Sequence, residues 1–199
     1  MPATSAPYGL RPVQSLGSRP WNGGGLRQYA LSSNSATGFF FGDMVNVVAG
    51  VPTVIQTTPT TTYGTTSTPM GVFIGCSYTS NNFEFFDSYL PANAITGGAT
   101  NVLISILEDP KVVFQVQGNG AIPLTAIGKN VSLTNFGNGS TTLKLSGVQL
   151  NASAVSTAST LAMRIVDIPT TPTGSPGDAY TDCLVVFNPT VHAYENPQR

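Results

Sequence analysis

Charged residues are scarce in this sequence: Asp, Glu, Lys and Arg make up 9% of its 199 residues. About 25% is usual for a soluble globular domain. The sequence is instead rich in the uncharged residues Thr, Ser, Asn, Gly and Pro. Surface charge normally keeps a monomer in solution. So little charge is therefore typical of a protein whose surface is covered by partners or by copies of itself, and it indicates a component of an assembly.

Histidine and cysteine are almost absent, which limits the chemistry that the chain can perform. The one histidine, His192, lies near the C-terminus in a segment that reads as a tail, and the two cysteines are Cys76 and Cys183. One histidine and two distant cysteines do not make a zinc site, and terminal segments are poorly ordered unless something ties them down. The adjacent acids Glu108 and Asp109 fall at a turn, where a solvated role is the default. We expect no catalytic residues, no cofactor and no metal.

Long apolar runs are missing too. None approaches the roughly 20 residues needed to cross a bilayer, and the first residues lack the charged and apolar regions of a signal peptide. We therefore expect no membrane association, and synthesis in a cytoplasm, where thiols stay reduced. Two buried free thiols at Cys76 and Cys183 are favoured over one long-range disulfide, and both alternatives remain open at this point.

The charges that are present are unevenly distributed along the chain. The net charge is -1, which argues against nucleic-acid binding by the molecule as a whole. Arg11, Arg19 and Arg27 precede Asp43 with no acid among them, and the rest of the chain is mildly acidic. This pattern favours a basic N-terminal segment that meets an acidic partner, with ordinary solvated arginines as the alternative.

Proline and glycine divide the chain into an arm and a body. Residues 1–26 contain four prolines and the triplet GGG, which exclude a helix, so they read as an irregular, extended N-terminal arm. Residues 27–199 form short apolar runs separated by turn residues, with no lasting 3.6-residue period. They predict an all-β sandwich or barrel with long loops and one short helix at 123–127. Residues 57–69 are a low-complexity loop.

The clearest predicted hairpin is central. Residues 101–107 and 111–117 flank the turn EDP at 108–110. Alternation in the second segment predicts a half-buried strand. Upstream, residues 44–48 and 51–56 predict two strands that pair across Gly50.

Aromatic residues cluster between residues 83 and 89. We expect a self-association surface there, formed by Phe83, Phe85, Phe86 and Tyr89. A sugar-stacking platform made of this cluster with Trp21 and Tyr29 is the alternative, since aromatic rings serve both purposes.

Several short phrases carry a resemblance that spans most of the chain. They are YGLRPV (8–13), GDMV (42–45), GVFIGC (71–76), DP (109–110) with FQVQ (114–117), IGKN (127–130), and GDAY (177–180) with VVFN (185–188). In this order they resemble small structural proteins of tailed bacteriophages, especially marine ones, and above all head decoration (cement) proteins. The family carries no catalytic residues.

The resemblance implies a virion protein on the exterior of the capsid that bridges neighbouring major capsid subunits. We expect the arm to anchor the protein to the major capsid protein through Arg11, Arg19, Trp21 and Arg27. Copies of the chain would assemble around a symmetry axis, with a trimer favoured over a dimer by analogy with icosahedral lattices. A minor tail, fibre or host-binding protein, including a glycan-binding one, is the alternative.

Overall fold

Strands dominate the computed structural model, which describes residues 4–17, 19–56, 68–170 and 175–195. In chain order they are β1 (Arg11–Ser15), β2 (Arg19–Pro20), β3 (Leu26–Ala30), β4 (Phe39–Phe40), β5 (Met44–Val48), β6 (Val51–Val54), β7 (Gly71–Ser80), β8 (Phe83–Asp87), β9 (Tyr89–Leu90), β10 (Thr100–Leu107), β11 (Val112–Gln117), β12 (Asn130–Val131), β13 (Leu133–Thr134), β14 (Gly139–Ser140), β15 (Leu145–Ser146), β16 (Gln149–Leu150), β17 (Met163–Asp167) and β18 (Asp182–Phe187). Helical structure in these ranges is limited to 3-10 turns at Leu124–Ala126 and Ala152–Ala154. The predicted all-β class is confirmed.

Two larger antiparallel sheets form the body. The first has the order β12-β17-β18-β11-β1-β2, and the second has the order β3-β10-β7-β5-β6, with β8 also paired to β7. The small sheets β13–β16, β14–β15 and β4–β9 complete the topology. The predicted pairing across Gly50 is confirmed, because β5 pairs with β6 through a turn in which Ala49 and Gly50 both have positive φ. Such turns match the twist of the flanking strands.

The second sheet separates two apolar cores. Neighbouring residues of a strand point to opposite faces, so Val72 joins the core shared with the first sheet while Phe73 enters a smaller core. At the end of β10, Leu107 likewise joins the larger core and Ile106 the smaller one. At the other side of this smaller core, β3 and β6 come within 8 Å of each other. The second sheet therefore packs on the first and also curls around its own core.

The N-terminal segment is part of the body, which corrects the expectation of an irregular arm in residues 1–26. Strand β1 pairs with β11, and β2 pairs with β1, so residues 11–15 and 19–20 belong to the first sheet. Leu10 is completely buried in the larger core. Ala6 N donates to Gln117 Oε1 at 2.8 Å. Prolines exclude a helix here, but they permit a strand at the side of a sheet.

The predicted central hairpin is wrong, although both of its strands exist. Strand β10 pairs with β3 and β7 in the second sheet, whereas β11 pairs with β1 and β18 in the first. Residues 108–110 therefore carry the chain from one sheet to the other. Strand β11 is also more buried than its alternation predicts, with Val113 and Gln117 both enclosed. Of the predicted 57–69 loop, residues 57–67 lie outside the described part of the chain.

Candidate functional site

The second sheet ends in an aromatic hairpin, which we define as residues 76–87 of β7, β8 and their connection. Asn81 and Asn82 form a two-residue turn with positive φ at both positions, the conformation that short polar side chains tolerate and that tight hairpins require. Phe83 is 70% exposed and Phe86 is 77% exposed. Phe85 stacks on Tyr78 across the hairpin, with ring centroids 5.3 Å apart.

This hairpin brings together three of the four residues predicted for self-association. Tyr89 lies apart from them, because it belongs to β9 and stacks on Phe40 of β4 at 4.8 Å. The rings of Phe83 and Phe85 lie on one face of β8, and that of Phe86 lies on the other. Both faces of β8 therefore present apolar surface to solvent.

An ion pair fixes the base of the aromatic hairpin. Lys144 Nζ lies 2.6 Å from Asp87 Oδ2, and this hydrogen bond raises the pKa of the Lys144 ammonium. Phe86, Lys144, Leu26 and Ile74 line a shallow open groove on this side of the sheet. Lys144 is 57 residues from Asp87, and nothing in the local sequence signals that the two meet.

Two of the predicted capsid-binding arginines are available to a partner. Arg11 in β1 and Arg19 in β2 are exposed, and no described residue forms a salt bridge with either. Both lie in the last two strands of the first sheet. Trp21 packs partly against the larger core, and its Nε1 donates to Gly24 O at 2.9 Å.

Arg27, the third predicted arginine, is exposed but forms an ion pair within the molecule. Its Nη1 lies 3.6 Å from Glu108 Oε2. The Tyr29 hydroxyl donates to Glu108 Oε1, and the Tyr194 hydroxyl donates to Oε2 at 3.3 Å. Burial, and then the hydrogen bond to Glu108, raise the pKa of Tyr29. Glu108 is 8% exposed, which corrects the expectation of a solvated turn acid.

His192 is completely buried, which corrects the expectation of a tail residue. Its ring packs on Phe187 with centroids 4.9 Å apart. Burial lowers the pKa of His192 to about 4, and the Met70 backbone and Asp109 offset only part of that effect. The residues on either side tie this segment down, since Ala193 N donates to Pro69 O at 2.8 Å. His192 is therefore a neutral core residue at pH 7.

Three phrases of the phage resemblance meet at one buried junction. Gly42 O accepts from Leu10 N at 3.0 Å, and Gly42 N donates to Phe73 O at 2.9 Å. Gly42 has φ +88°, and a Cβ atom there would lie 2.7 Å from Leu10 N. Only glycine fits both the conformation and this close approach. The segments at 8–13, 42–45 and 71–76 are therefore in direct main-chain contact in this chain.

Asp43 supplies a buried carboxylate at the same junction. Its Oδ2 accepts from Phe40 N at 2.9 Å and its Oδ1 accepts from Ser146 Oγ at 2.5 Å. Burial raises the pKa of Asp43 to about 6, although these hydrogen bonds act in the opposite direction. Asp43 thus joins β4, β5 and β15 from inside the protein.

The two cysteines are buried in different cores, as the favoured prediction of buried thiols requires. Cys76 lies in the smaller core and Cys183 in the larger one, and both are free. Burial raises the pKa of both thiols to about 12. A thiol with so high a pKa is a poor nucleophile and a poor metal ligand at neutral pH.

Within the described ranges, no group of three His, Cys, Asp or Glu side chains is arranged to hold a metal ion. None of the helical segments in those ranges has the length and apolarity that a membrane span requires. No family model, curated protein or solved structure matches the chain. The aromatic hairpin and the exposed arginines are therefore the features from which a function is inferred.

Proposed function

We propose that this protein is a structural component of a bacteriophage virion. It binds the outer face of the capsid and cements neighbouring major capsid subunits. The observation that carries the proposal is the aromatic hairpin, an exposed apolar surface on a body in which only 9% of residues are charged. Charge is depleted and aromatic residues are enriched at the centre of protein interfaces. The hairpin supports contact with other protein chains, copies of this one included, and the phrases that resemble decoration proteins favour a capsid as the assembly.

Arg11 and Arg19 supply the polar part of the proposed contact. A guanidinium forms paired hydrogen bonds with a carboxylate, and neither arginine is occupied by a described acid. Arg27 is a weaker candidate, because binding a capsid carboxylate would compete with Glu108. The contact to the shell would then lie at the β1–β2 side of the first sheet.

Point variants test this contact better than removal of the arm, because β1 is part of a sheet. The double variant R11Q/R19Q should bind undecorated capsids at least about tenfold more weakly, as expected for the loss of two charge-assisted contacts. R164Q is the matched control, since Arg164 is exposed on β17 in the same sheet. Equal binding by both variants would remove the arginines from the contact.

The cement role itself is tested on whole particles. A protein that binds only the assembled shell stabilises it by mass action, so particles without it should release DNA at a lower temperature or under weaker osmotic stress. Equal resistance with and without the protein would reject the cement role. A minor tail, fibre or host-binding role would then lead, and a low copy number per particle or a glycan ligand would support it.

A further inference from the structure

Strand β8 is an edge strand whose outer side is open. It pairs with β7 alone, over Cys76–Ser80 of that strand. Strand β5 lies on the same side of β7 but pairs only at Gly71 and Val72. Within the described ranges, no main-chain hydrogen bond reaches the outer side of β8. An open edge of this kind accepts another extended strand.

The turn determines which groups of β8 face outward. In a tight turn the first residue's carbonyl accepts from the N–H of the fourth, so Ser80 and Phe83 form a hydrogen-bonded pair. Hydrogen-bonded and non-hydrogen-bonded pairs alternate along an antiparallel ladder. The N–H and C=O groups of Phe85, which lies opposite Tyr78, therefore also hydrogen-bond to β7. The N–H and C=O groups of Glu84 and Phe86 therefore point away from the sheet.

The outer strands of the two larger sheets are better protected against pairing than β8 is. Strand β2 ends in Pro20, and β6 contains Pro52. Strand β12 is two residues long, and Asn130 is bridged to Ser156. Strand β3 lies beside β6. Prolines and short length discourage edge pairing, whereas β8 is five residues long and contains no proline, and one of its two acids, Asp87, is already paired with Lys144.

We propose that β8 pairs antiparallel with β8 of a second copy of this chain, across a two-fold axis at Phe85. Glu84 of each copy then lies opposite Phe86 of the other and exchanges both main-chain hydrogen bonds with it. Every outward N–H and C=O of the strand gains a partner. The second sheet continues from one copy into the next.

Charge and stacking favour a second copy in this register. Asp87 is already paired with Lys144. Glu84 is the other acidic residue of β8, and in this register it lies opposite Phe86 of the second copy. A slide by two residues in one direction would set Glu84 against its own counterpart, and like charges directly opposite destabilise a sheet. A slide in the other direction would set Phe86 against Phe86 and would lose the contact between the two Phe85 rings. The stacked pair of Tyr78 and Phe85 continues across the axis as a ladder of four rings, two from each copy.

The pairing is isologous and therefore produces a dimer, unlike the trimer expected from the sequence by analogy. It concerns the isolated chain, so it is correct or wrong independently of any role on a virion. Trimers on a shell would require a second contact elsewhere on the surface.

Light scattering on the purified full chain tests the interface. The wild type should be a dimer that dissociates on dilution, and E84P should be a monomer. Proline at position 84 removes an outward N–H but none of the bonds to β7, so the thermal midpoint at low concentration should be nearly unchanged. L124S is the control, because Leu124 is an exposed apolar residue outside the hairpin, and it should still form a dimer. A wild-type monomer at every concentration, or a trimer unaffected by E84P, would overturn the proposal.

Cysteine cross-linking tests the register without relying on proline. Residues opposite each other in a non-hydrogen-bonded pair have Cα atoms about 4.5 Å apart, which a disulfide spans. F85C should therefore form a covalent dimer with oxidised glutathione, which accepts the electrons as the S–S bond forms. F83C should not, because it lies opposite Asp87 of the second copy. The native cysteines are buried and give little background. Failure of F85C to cross-link, or equal cross-linking by F83C, would reject this register.

Discussion

The Tyr8 hydroxyl donates a 2.8 Å hydrogen bond to Asp182 Oδ1, although the two residues are 174 positions apart. Burial, and then this hydrogen bond, raise the pKa of the Tyr8 phenol. Tyr8 lies near the N-terminus, whereas Asp182 begins β18, the last strand described. The hydrogen bond therefore ties the segment that precedes β1 to the start of β18, across the first sheet.

Loss of this hydrogen bond should cost stability. We expect Y8F to lower the free energy of unfolding by about 1–2 kcal/mol, because a buried hydrogen bond to a carboxylate is removed. Y180F is the matched control, since Tyr180 is partly exposed and donates no hydrogen bond to a described residue. Urea unfolding followed by tyrosine fluorescence or circular dichroism would measure both. Equal midpoints for Y8F and Y180F would show that the hydrogen bond between Tyr8 and Asp182 does not stabilise the folded protein.

The two buried titrating groups should have opposite effects on stability as the pH changes. The folded-state pKa of Asp43 is about 6 against an ordinary 3.8, so the folded state binds more protons between these values and stability falls as pH rises through them. The folded-state pKa of His192 is about 4 against 6.5, so stability rises with pH across that window. Each effect is on the order of 3 kcal/mol.

Urea unfolding midpoints between pH 4 and 7 would separate the two effects. D43N should retain the rise with pH that His192 causes, and H192Q should retain the fall that Asp43 causes. The wild-type profile should be flatter than either. Identical profiles for the three proteins would show that neither group titrates differently on folding.

The two thiols should be unreactive until the protein unfolds. Their burial and raised pKa predict little reaction with a thiol reagent such as DTNB in buffer and reaction of both cysteines in denaturant. A thiol count after unfolding without reductant decides the matter. A count near zero would indicate the disulfide that the sequence alone left open.

Leu107 should contribute strongly to stability because it closes the larger core beside the crossover between the sheets. L107A should lower the free energy of unfolding by about 2–5 kcal/mol, through lost burial and a cavity. L143A is the matched control, since Leu143 is 67% exposed, and it should change stability by less than about 0.5 kcal/mol. Similar losses for both variants would contradict the assigned core.

The candidate surface was predictable in part. The aromatic run at 83–86 is visible in the sequence because its residues are consecutive, and Asn81–Asn82 marks the turn before it. The separation of Tyr89 was not visible, because it depends on β9 pairing with β4 rather than continuing β8. Lys144, Tyr194 and the burial of Glu108 carry no local signal, since their partners are distant in sequence.

Local sequence is enough to predict that the chain is β-rich, where several strands run, and that β5 returns as β6 through a tight turn. Those features follow from alternation, β-branched residues and turn residues within a few positions of one another. The pairing of β1 with β11, the separation of β10 and β11 into different sheets, and the burial of His192 become visible only in the folded chain. A period of two identifies a strand, but it says nothing about which strand lies beside it. That choice depends on contacts between distant segments, which are made only when the two cores close.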